Sequence, residues 1–441
     1  MTSRYIQIAP DNIPSSGKVS FKNGFPMLSF TVSAQEGLLD TSTLRITGDF
    51  AAFKDNLAIP TALTTGDNVT MSNRLGIFNV MESLTIRSQT SKLECESIRH
   101  YSKFMNSYLA MTSSLQDQIG HMGESNLIMP NSSAFRKAVM ESPNTTGQTN
   151  SFSTHLPCGF LSSGNMVDLR QDAFGGIIVE ILLMPDSNVL FQQNGSAVGI
   201  GDAHYELSKL FLTCQISDFP DGDKPSNDGV YQYNSITSLY TSINSTNAQI
   251  QYNLALRNVL SAFMTFVPVS NINTLTEDGT ATVQLSGDGT SKTALAPIKR
   301  VQFLKGGVKF PADFDFVANI SDSENAATKV VDPQLIRNFI DSILPDYTFE
   351  RMSISPVNCN RDYNMTTDVT NELSYSNIAE GGSVYGLGVK YGLAGGEDFS
   401  SEQFGVSIES DLKSDNPMGT YMFIKSATKL VFMNGSVQIV Q

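Results

Sequence analysis

The sequence predicts an all-β protein built as two β-sandwich halves. Apolar and β-branched residues alternate along many short runs, which is the pattern of half-buried strands. The same order of strands, one helix and further strands occurs twice along the chain. At 441 residues the chain is also longer than the roughly 250 to 300 residues that one core supports. These three observations favour two domains of about 200 residues each.

The first half is predicted as a domain at 24–220, preceded by an N-terminal arm at 1–23 in which Pro10, Pro14 and Gly17 favour an extended chain. Apolar residues change from alternation to spacings of three and four positions, which predicts a helix at 98–112. A shorter helix is predicted at 134–141. The apolar residues of the longer helix are Tyr101, Phe104, Met105, Tyr108 and Leu109. The predicted strands are 25–37, 44–50, 83–98 with a polar turn inside it, 152–161, 175–184 and 205–216.

A linker is predicted at 221–233, because the stretch SDFPDGDKPSNDG at 217–229 concentrates Pro, Gly and Asp. The second domain follows at 234–441. Its helix begins with Asp332 as the cap and Pro333 at the first helical position. The apolar face of this helix consists of Leu335, Ile336, Phe339, Ile340 and Ile343. The predicted strands are 235–243, 248–256, 259–269, 300–310, 404–412 and 420–441, the last with a hairpin turn at Asn434 and Gly435.

No motif in the sequence predicts a catalytic, cofactor-binding or metal-binding residue. The four histidines and four cysteines are isolated and form no metal-ligand spacing: His100, His121, His155, His204, Cys95, Cys158, Cys214 and Cys359. The stretch GLGVKYG at 386–392 misses the third glycine of a dinucleotide fingerprint. The acidic residues Asp218, Asp221, Asp223 and Asp228 lack the alternation of a calcium loop, so a solvated linker is preferred to a Ca²⁺ site. We therefore expect no enzyme activity, no cofactor and no small-molecule substrate.

The charge of the chain disfavours nucleic acid as a direct partner. The formal net charge is −14, from 43 acidic and 29 basic side chains, and no Lys/Arg run would neutralise phosphates. No stretch reaches the roughly 18 apolar residues of a membrane span. The N-terminus lacks the continuous apolar region of a signal peptide. We expect synthesis in the cytoplasm without secretion.

Four stretches carry a resemblance to a known family. These are residues 152–191, which include DLRQDAFGGIIVEILLMPDSNVLF, then YELSKLFLTCQI at 205–216, GLGVKYGLAGGEDFSSEQFGVSIESDL at 386–412 and TYMFIKSATKLVF at 420–432. They resemble the major capsid proteins of polinton-like viruses and virophages, in the double jelly-roll lineage that includes adenovirus hexons. The resemblance covers the chain from about residue 24 to the C-terminus.

The resemblance implies a fold and an assembly. The fold would be all-β, with two tandem eight-stranded jelly rolls (a double jelly roll) and short helices in loops. Three copies would form a homotrimeric pseudo-hexagonal capsomer in the icosahedral shell of a double-stranded DNA virus, located in the virion. The partners would be the chain itself, neighbouring capsomers and minor capsid or penton proteins. Loops 115–150 and 271–297 would form towers or trimer contacts, and segment 1–22 would run beneath a neighbour.

Three other classes of protein remain open at this stage. A minor capsid or vertex protein usually needs one jelly roll, so the doubled pattern favours the major protein. A secreted β-sandwich adhesin or lectin would be expected to carry a signal peptide and exposed Trp, and the sequence has 0 Trp. A hydrolase on a β-scaffold would need acid, base or metal groups that converge in one cleft.

Overall fold

The computed structural model of the chain describes residues 3–22, 24, 26–34, 37–54, 69–72, 75–112, 125–127, 150–170, 174–192, 203–218, 229–253, 255–274, 298–312, 315–317, 333–343, 386–391, 396–410 and 417–441. Strands dominate these residues, so the predicted all-β class is confirmed. Among the described residues, no helix is both long enough and apolar enough to span a bilayer. The predicted helix at 134–141 and most of the two predicted loops, 115–150 and 271–297, lie outside the described residues.

The first half forms two antiparallel sheets. Its elements are β1 Ser3–Ile8, β2 Lys18–Val19, β3 Met27–Ser33, β4 Leu38–Phe53, β5 Val69–Thr70, β6 Met81–Ser88, β7 Glu94–Arg99, α1 Tyr101–Thr112, β8 Asn150–His155, β9 Met166–Asp168, β10 Gly176–Leu183, α2 Asp186–Val189, β11 Phe191–Gln192 and β12 His204–Ser217. One sheet has the order β1-β12-β4-β8, with β2 on β12 and β9 on β4, and the other has the order β3-β10-β6-β7. Strands β5 and β11 form a separate pair.

The second half repeats this arrangement. Its elements are β13 Gly229–Ile243, β14 Asn247–Tyr252, β15 Val259–Pro268, β16 Ile298–Lys305, β17 Val308–Lys309, β18 Phe316–Val317, α3 Pro333–Ile343, β19 Gly386–Lys390, β20 Phe404–Ser410, β21 Met418–Met433 and β22 Ser436–Val440. One sheet has the order β13-β21-β15-β19 with β22 on β21, and the other has the order β14-β20-β16-β17 with β18 on β16.

The sheet that contains β21 is buried on both faces. Side chains of a strand alternate between faces, and Met264 and Met422 point into the core of the second sandwich. Their neighbours Phe263 and Phe423 belong instead to the core of the first half. Helix α3 packs on the face that carries Phe263 and Phe423, and Phe104 of α1 contacts both of these rings. Both faces of the sheet are therefore covered, which explains why β15 and β21 have apolar residues on both faces.

Several boundaries differ from the predicted ones. Strand β1 pairs along its whole length with β12 of the same chain, and Ile6 and Ile8 pack against the core, so the predicted extended segment forms, at 3–8, a strand of the first sheet. Strand β13 begins at Gly229, inside the predicted linker. Strand β8 ends at His155, because Pro157 has no N–H to donate to a ladder. The two predicted long helices are confirmed at α1 and α3.

A glycine of β19 lets α3 approach the sheet, which gives a testable prediction. A Cβ at Gly388 would lie 2.1 Å from Ser342 Oγ and 2.9 Å from the Cα of Phe339. The helix backbone would have to move, so we expect Gly388→Ala to lower the free energy of unfolding by about 1–3 kcal/mol. The matched control is Gly405→Ala in β20, where the nearest atom would lie 3.2 Å away. If both variants unfold at the same denaturant concentration, the packing of α3 on β19 is not close.

Candidate functional site

The described histidines and cysteines, together with Asp218, do not come together in one place. His100, His155 and His204 lie in different parts of the first half, and Cys95, Cys158 and Cys214 are buried thiols. Asp218 lies 3.9 Å from Arg4 in an exposed ion pair. Within the described ranges, no three His, Cys, Asp or Glu side chains are grouped so that they could hold a metal ion. The residues His121, Cys359, Asp221, Asp223 and Asp228 fall outside those ranges.

The most distinctive place in the described chain is the contact between its two halves, which we call the seam. The seam is formed by β7, α1 and residues 156–163 of the first half against β13, β15 and β21 of the second. Its apolar part is aromatic: the Phe104 ring lies 5.6 Å from Phe423 and 6.2 Å from Phe263. Phe160 lies 4.9 Å from Tyr231 and 5.3 Å from Tyr233. One apolar core therefore continues from the first half into the second.

A buried carboxylate joins the halves at the centre of the seam. Glu96, in β7, is only 4% exposed. Its Oε1 accepts hydrogen bonds from the backbone N–H of Gly159 at 3.1 Å and of Ile236 at 2.7 Å, and its Oε2 accepts one from Phe160 N–H at 2.7 Å. Burial raises the pKa of Glu96, and the three backbone donors oppose that rise. One side chain thus fixes a turn of the first half to a strand of the second.

Two tyrosines of β13 add directional contacts to the seam. The Tyr231 hydroxyl donates to the Phe160 carbonyl at 2.8 Å, and the Tyr233 hydroxyl donates to the Cys95 carbonyl at 2.5 Å. Burial raises the pKa of Tyr231 to about 12 and that of Tyr233 further. Both hydroxyls therefore keep their protons at neutral pH and act as donors. Buried groups satisfied in this way specify one arrangement of the two halves.

The backbones of the two halves also approach closely. A Cβ built at Gly159 would lie 1.8 Å from the carbonyl oxygen of Asn234 in β13. Any larger residue at this position would push β13 away from the turn and break the hydrogen bonds to Glu96. Glycine is required here by the contact between the halves rather than by a local turn.

Next to the carboxylate, the seam contains a cleft of about 280 Å³ that opens to solvent. Residues that line it include Phe104, Tyr108, Cys158, Tyr233 and Lys425. Burial raises the pKa of the Cys158 thiol well above its usual value, and burial also raises the pKa of Tyr108. Neither group is ionised at neutral pH, so neither is an activated nucleophile. The cleft lies between the two halves and is lined by side chains of both.

At one edge of the seam, His100 lies between the end of β7 and the start of α1. Its φ of 56° is in the left-handed region. Its Nδ1 lies 2.9 Å from Glu82 Oε1, and its ring lies 5.0 Å from Tyr421 and 5.6 Å from Tyr240 of the second half. The histidine that the sequence left without a role is therefore one of the side chains that join the two halves.

Comparisons with known proteins show similarity in fold and little similarity in sequence. A chain in the 3.5 Å cryo-EM structure of the Sputnik virophage matches with a TM-score of 0.54 and 11% identity, over 100% of this chain and 88% of that one. The mavirus major capsid protein matches with a TM-score of 0.50 and 12% identity, over 99% and 90%. The Faustovirus major capsid protein matches with a TM-score of 0.50 and 9% identity, over 98% and 90%. No family model and no curated protein matches the sequence.

These matches establish the fold class. The chain is a double jelly roll, with the architecture of major capsid proteins from virophages and large viruses. The fold predicted from the sequence resemblance is confirmed, and the seam is the contact between the two jelly rolls.

Proposed function

We propose that this chain is the major capsid protein of a double-stranded DNA virus. The observation that carries the proposal is the fold, which matches that of capsid proteins over nearly the whole chain. In this proposal the chain assembles as a homotrimer and the trimers tile an icosahedral shell together with minor capsid or penton proteins. The chain would be made in the cytoplasm of the host cell and would act in the virion, with no enzymatic step.

The seam supports this proposal on physical grounds. A pseudo-hexagonal capsomer built from three chains needs two jelly rolls per chain held in one fixed relation. A buried aromatic core, a buried carboxylate with three backbone donors and two tyrosine hydroxyls supply such a relation. Two domains that moved independently would share a smaller and more polar contact. The domain boundaries stay part of the proposal, with jelly rolls at 24–220 and 234–441 and a linker at 221–233 that overlaps the start of β13.

The native mass of the purified protein tests the proposal. We expect light scattering to give about 144 kDa, three times the 47.9 kDa of one chain, and negative-stain images of that peak to show pseudo-hexagonal outlines. A stable monomer of 47.9 kDa would count against a capsomer and would favour the adhesin or enzyme classes.

The charge of the chain gives a second expected result. With a formal net charge of −14, the protein should bind double-stranded DNA negligibly at physiological salt, because neutralising phosphates needs clustered basic side chains. The measurement is fluorescence anisotropy of a labelled duplex titrated with the purified trimer. Submicromolar binding would show that the chain contacts the genome directly.

A further inference from the structure

The C-terminal hairpin has a backbone geometry that fixes which of its groups face outward. Strands β21 and β22 are joined by Asn434 and Gly435, with φ of 50° and 74°, as in a two-residue type I′ turn. Met433 is paired with Ser436 next to the turn. In such a hairpin the closing pair is hydrogen-bonded, and hydrogen-bonded and non-hydrogen-bonded pairs then alternate. The N–H and C=O groups of Ser436, Gln438 and Val440 therefore point at β21, and those of Val437 and Ile439 point away from it.

The outward edge of β22 is an open strand edge. In the part of the chain that the structure describes, β22 pairs with β21 alone. Its sequence, SVQIV, contains no charge, no proline and no bulge, which are the features that usually protect a sheet edge. Three of its five residues are β-branched and favour strand pairing. The edge is thus suited to receive another strand.

The two faces of the hairpin differ in their exposure to solvent, and this difference indicates the partner. On the inner face, Val437 and Ile439 pack against the apolar core. On the outer face, Met433 is 57% exposed and Val440 is 48% exposed. Val230 of β13, which is 57% exposed, lies on the same outer face, because Val230 pairs with Val431 and Val431 pairs with Gln438. An exposed apolar patch therefore borders the open edge.

We propose that β22 pairs antiparallel with β22 of a second copy of this chain across a two-fold axis. The register that gives hydrogen bonds to most of the outward N–H and C=O groups of β22 places Val437 opposite Ile439 of the second copy. The N–H and C=O groups of these two residues then form four hydrogen bonds across the axis. Gln438 faces Gln438, and Ser436 faces Val440. Two identical uncharged strands meet without electrostatic repulsion, and one sheet continues from each copy into the other.

The same register places the apolar patches of both copies on one face of the continued sheet. Val440 lies opposite Ser436 of the second copy, and Ser436 is the neighbour of Met433 in its own hairpin. The small Ser436 side chain therefore separates Val440 from the Met433 of the other copy. A two-fold contact differs from the three-fold contact of a trimer, so this pairing would join one capsomer to the next. The inference deepens the proposed function and rests on it.

A disulfide at the two-fold axis tests the pairing directly. In this register Gln438 lies opposite Gln438 of the second copy in a non-hydrogen-bonded pair. The Cβ separation of such a pair suits a disulfide. We expect Gln438→Cys in the full chain to form a covalent dimer of chains under mild oxidation, seen on a non-reducing gel. The control is Gln249→Cys in β14, which is also an exposed strand position but lies in another sheet. The linked species should have a native mass above that of one trimer, because the bond joins different trimers.

Charge complementation provides the second arm of the test. Gln438→Lys places two like charges opposite each other and should weaken association between capsomers about fivefold. Mixing the Gln438→Lys variant with the Gln438→Glu variant should restore that association, whereas Gln249→Lys alone should leave it unchanged. Trimers that form normally but give no disulfide with Gln438→Cys would overturn the inference and leave the proposed function intact. A disulfide confined to single trimers would overturn it as well. A monomeric wild type would remove the proposed function itself.

Discussion

Replacing Glu96 with alanine is expected to lower the free energy of unfolding by about 3–5 kcal/mol. The change leaves three buried backbone N–H groups, those of Gly159, Phe160 and Ile236, without their acceptor. An unsatisfied buried donor costs about 1–3 kcal/mol, and some relaxation of the seam offsets part of the total. The measurement is chemical denaturation of the purified protein.

The matched control is Glu94→Ala, two residues earlier in the same strand. Glu94 is exposed and lies 3.4 Å from Arg87, and exposed ion pairs contribute about 0–1 kcal/mol. We expect its loss to change stability by no more than that. Equal midpoints for the two variants would mean that Glu96 does not hold the seam together.

The contribution of Glu96 to the free energy of unfolding should fall as pH rises. Burial raises the pKa of Glu96 in the folded chain, so the folded state binds its proton more tightly than the unfolded state does. This contribution to stability is present in full below the ordinary value of 4.5 and is lost as pH rises through the raised pKa. Wild type should therefore lose stability relative to Glu96→Gln as pH rises from 4. A constant difference between the two proteins over that range would contradict the raised pKa.

Replacing Phe104 with alanine is expected to cost about 3–5 kcal/mol, the usual cost of removing a buried phenyl ring. Phe104 is 2% exposed and contacts rings of both halves, including Phe263 and Phe423. The cavity would open at the seam itself. We expect faster hydrogen exchange at the amides of Phe160 and Ile236, which Glu96 protects.

The control for Phe104 is Phe303→Ala. Phe303 is also 2% exposed, but it lies in the core of the second jelly roll against Phe316. Its loss should cost a similar free energy of unfolding while the exchange of the seam amides stays slow. If both variants speed the exchange of those amides equally, the seam has no stability of its own and simply follows global unfolding.

Much of the fold follows from local pattern. Alternating apolar residues predicted most strands, and the spacing of Phe104 and Tyr108 predicted α1. The proline at 333 marked the start of α3. Each of these signals involves residues that are only a few positions apart, so a single sequence is enough to recognise it. The strand ends were less accurate, because tertiary contacts set them.

The seam could not be predicted in this way. Glu96 is joined to residues 63, 64 and 140 positions away, and Glu94 on the same strand has the same chemistry but is exposed. Tyr231 and Tyr233 fell inside the predicted linker, because the Pro, Gly and Asp before them looked like the whole boundary. The glycine at 159 has no unusual local sequence, and only its approach to Asn234 reveals its role.

The most direct test of the account is a cryo-EM reconstruction of the purified assembly at a resolution that shows side chains. We expect three chains around a three-fold axis, six jelly rolls in a pseudo-hexagonal outline, and density that joins the Glu96 carboxylate to the turn at Phe160 and to β13. A reconstruction in which the two jelly rolls of one chain lie apart, or in which the assembly is not a trimer, would contradict the account.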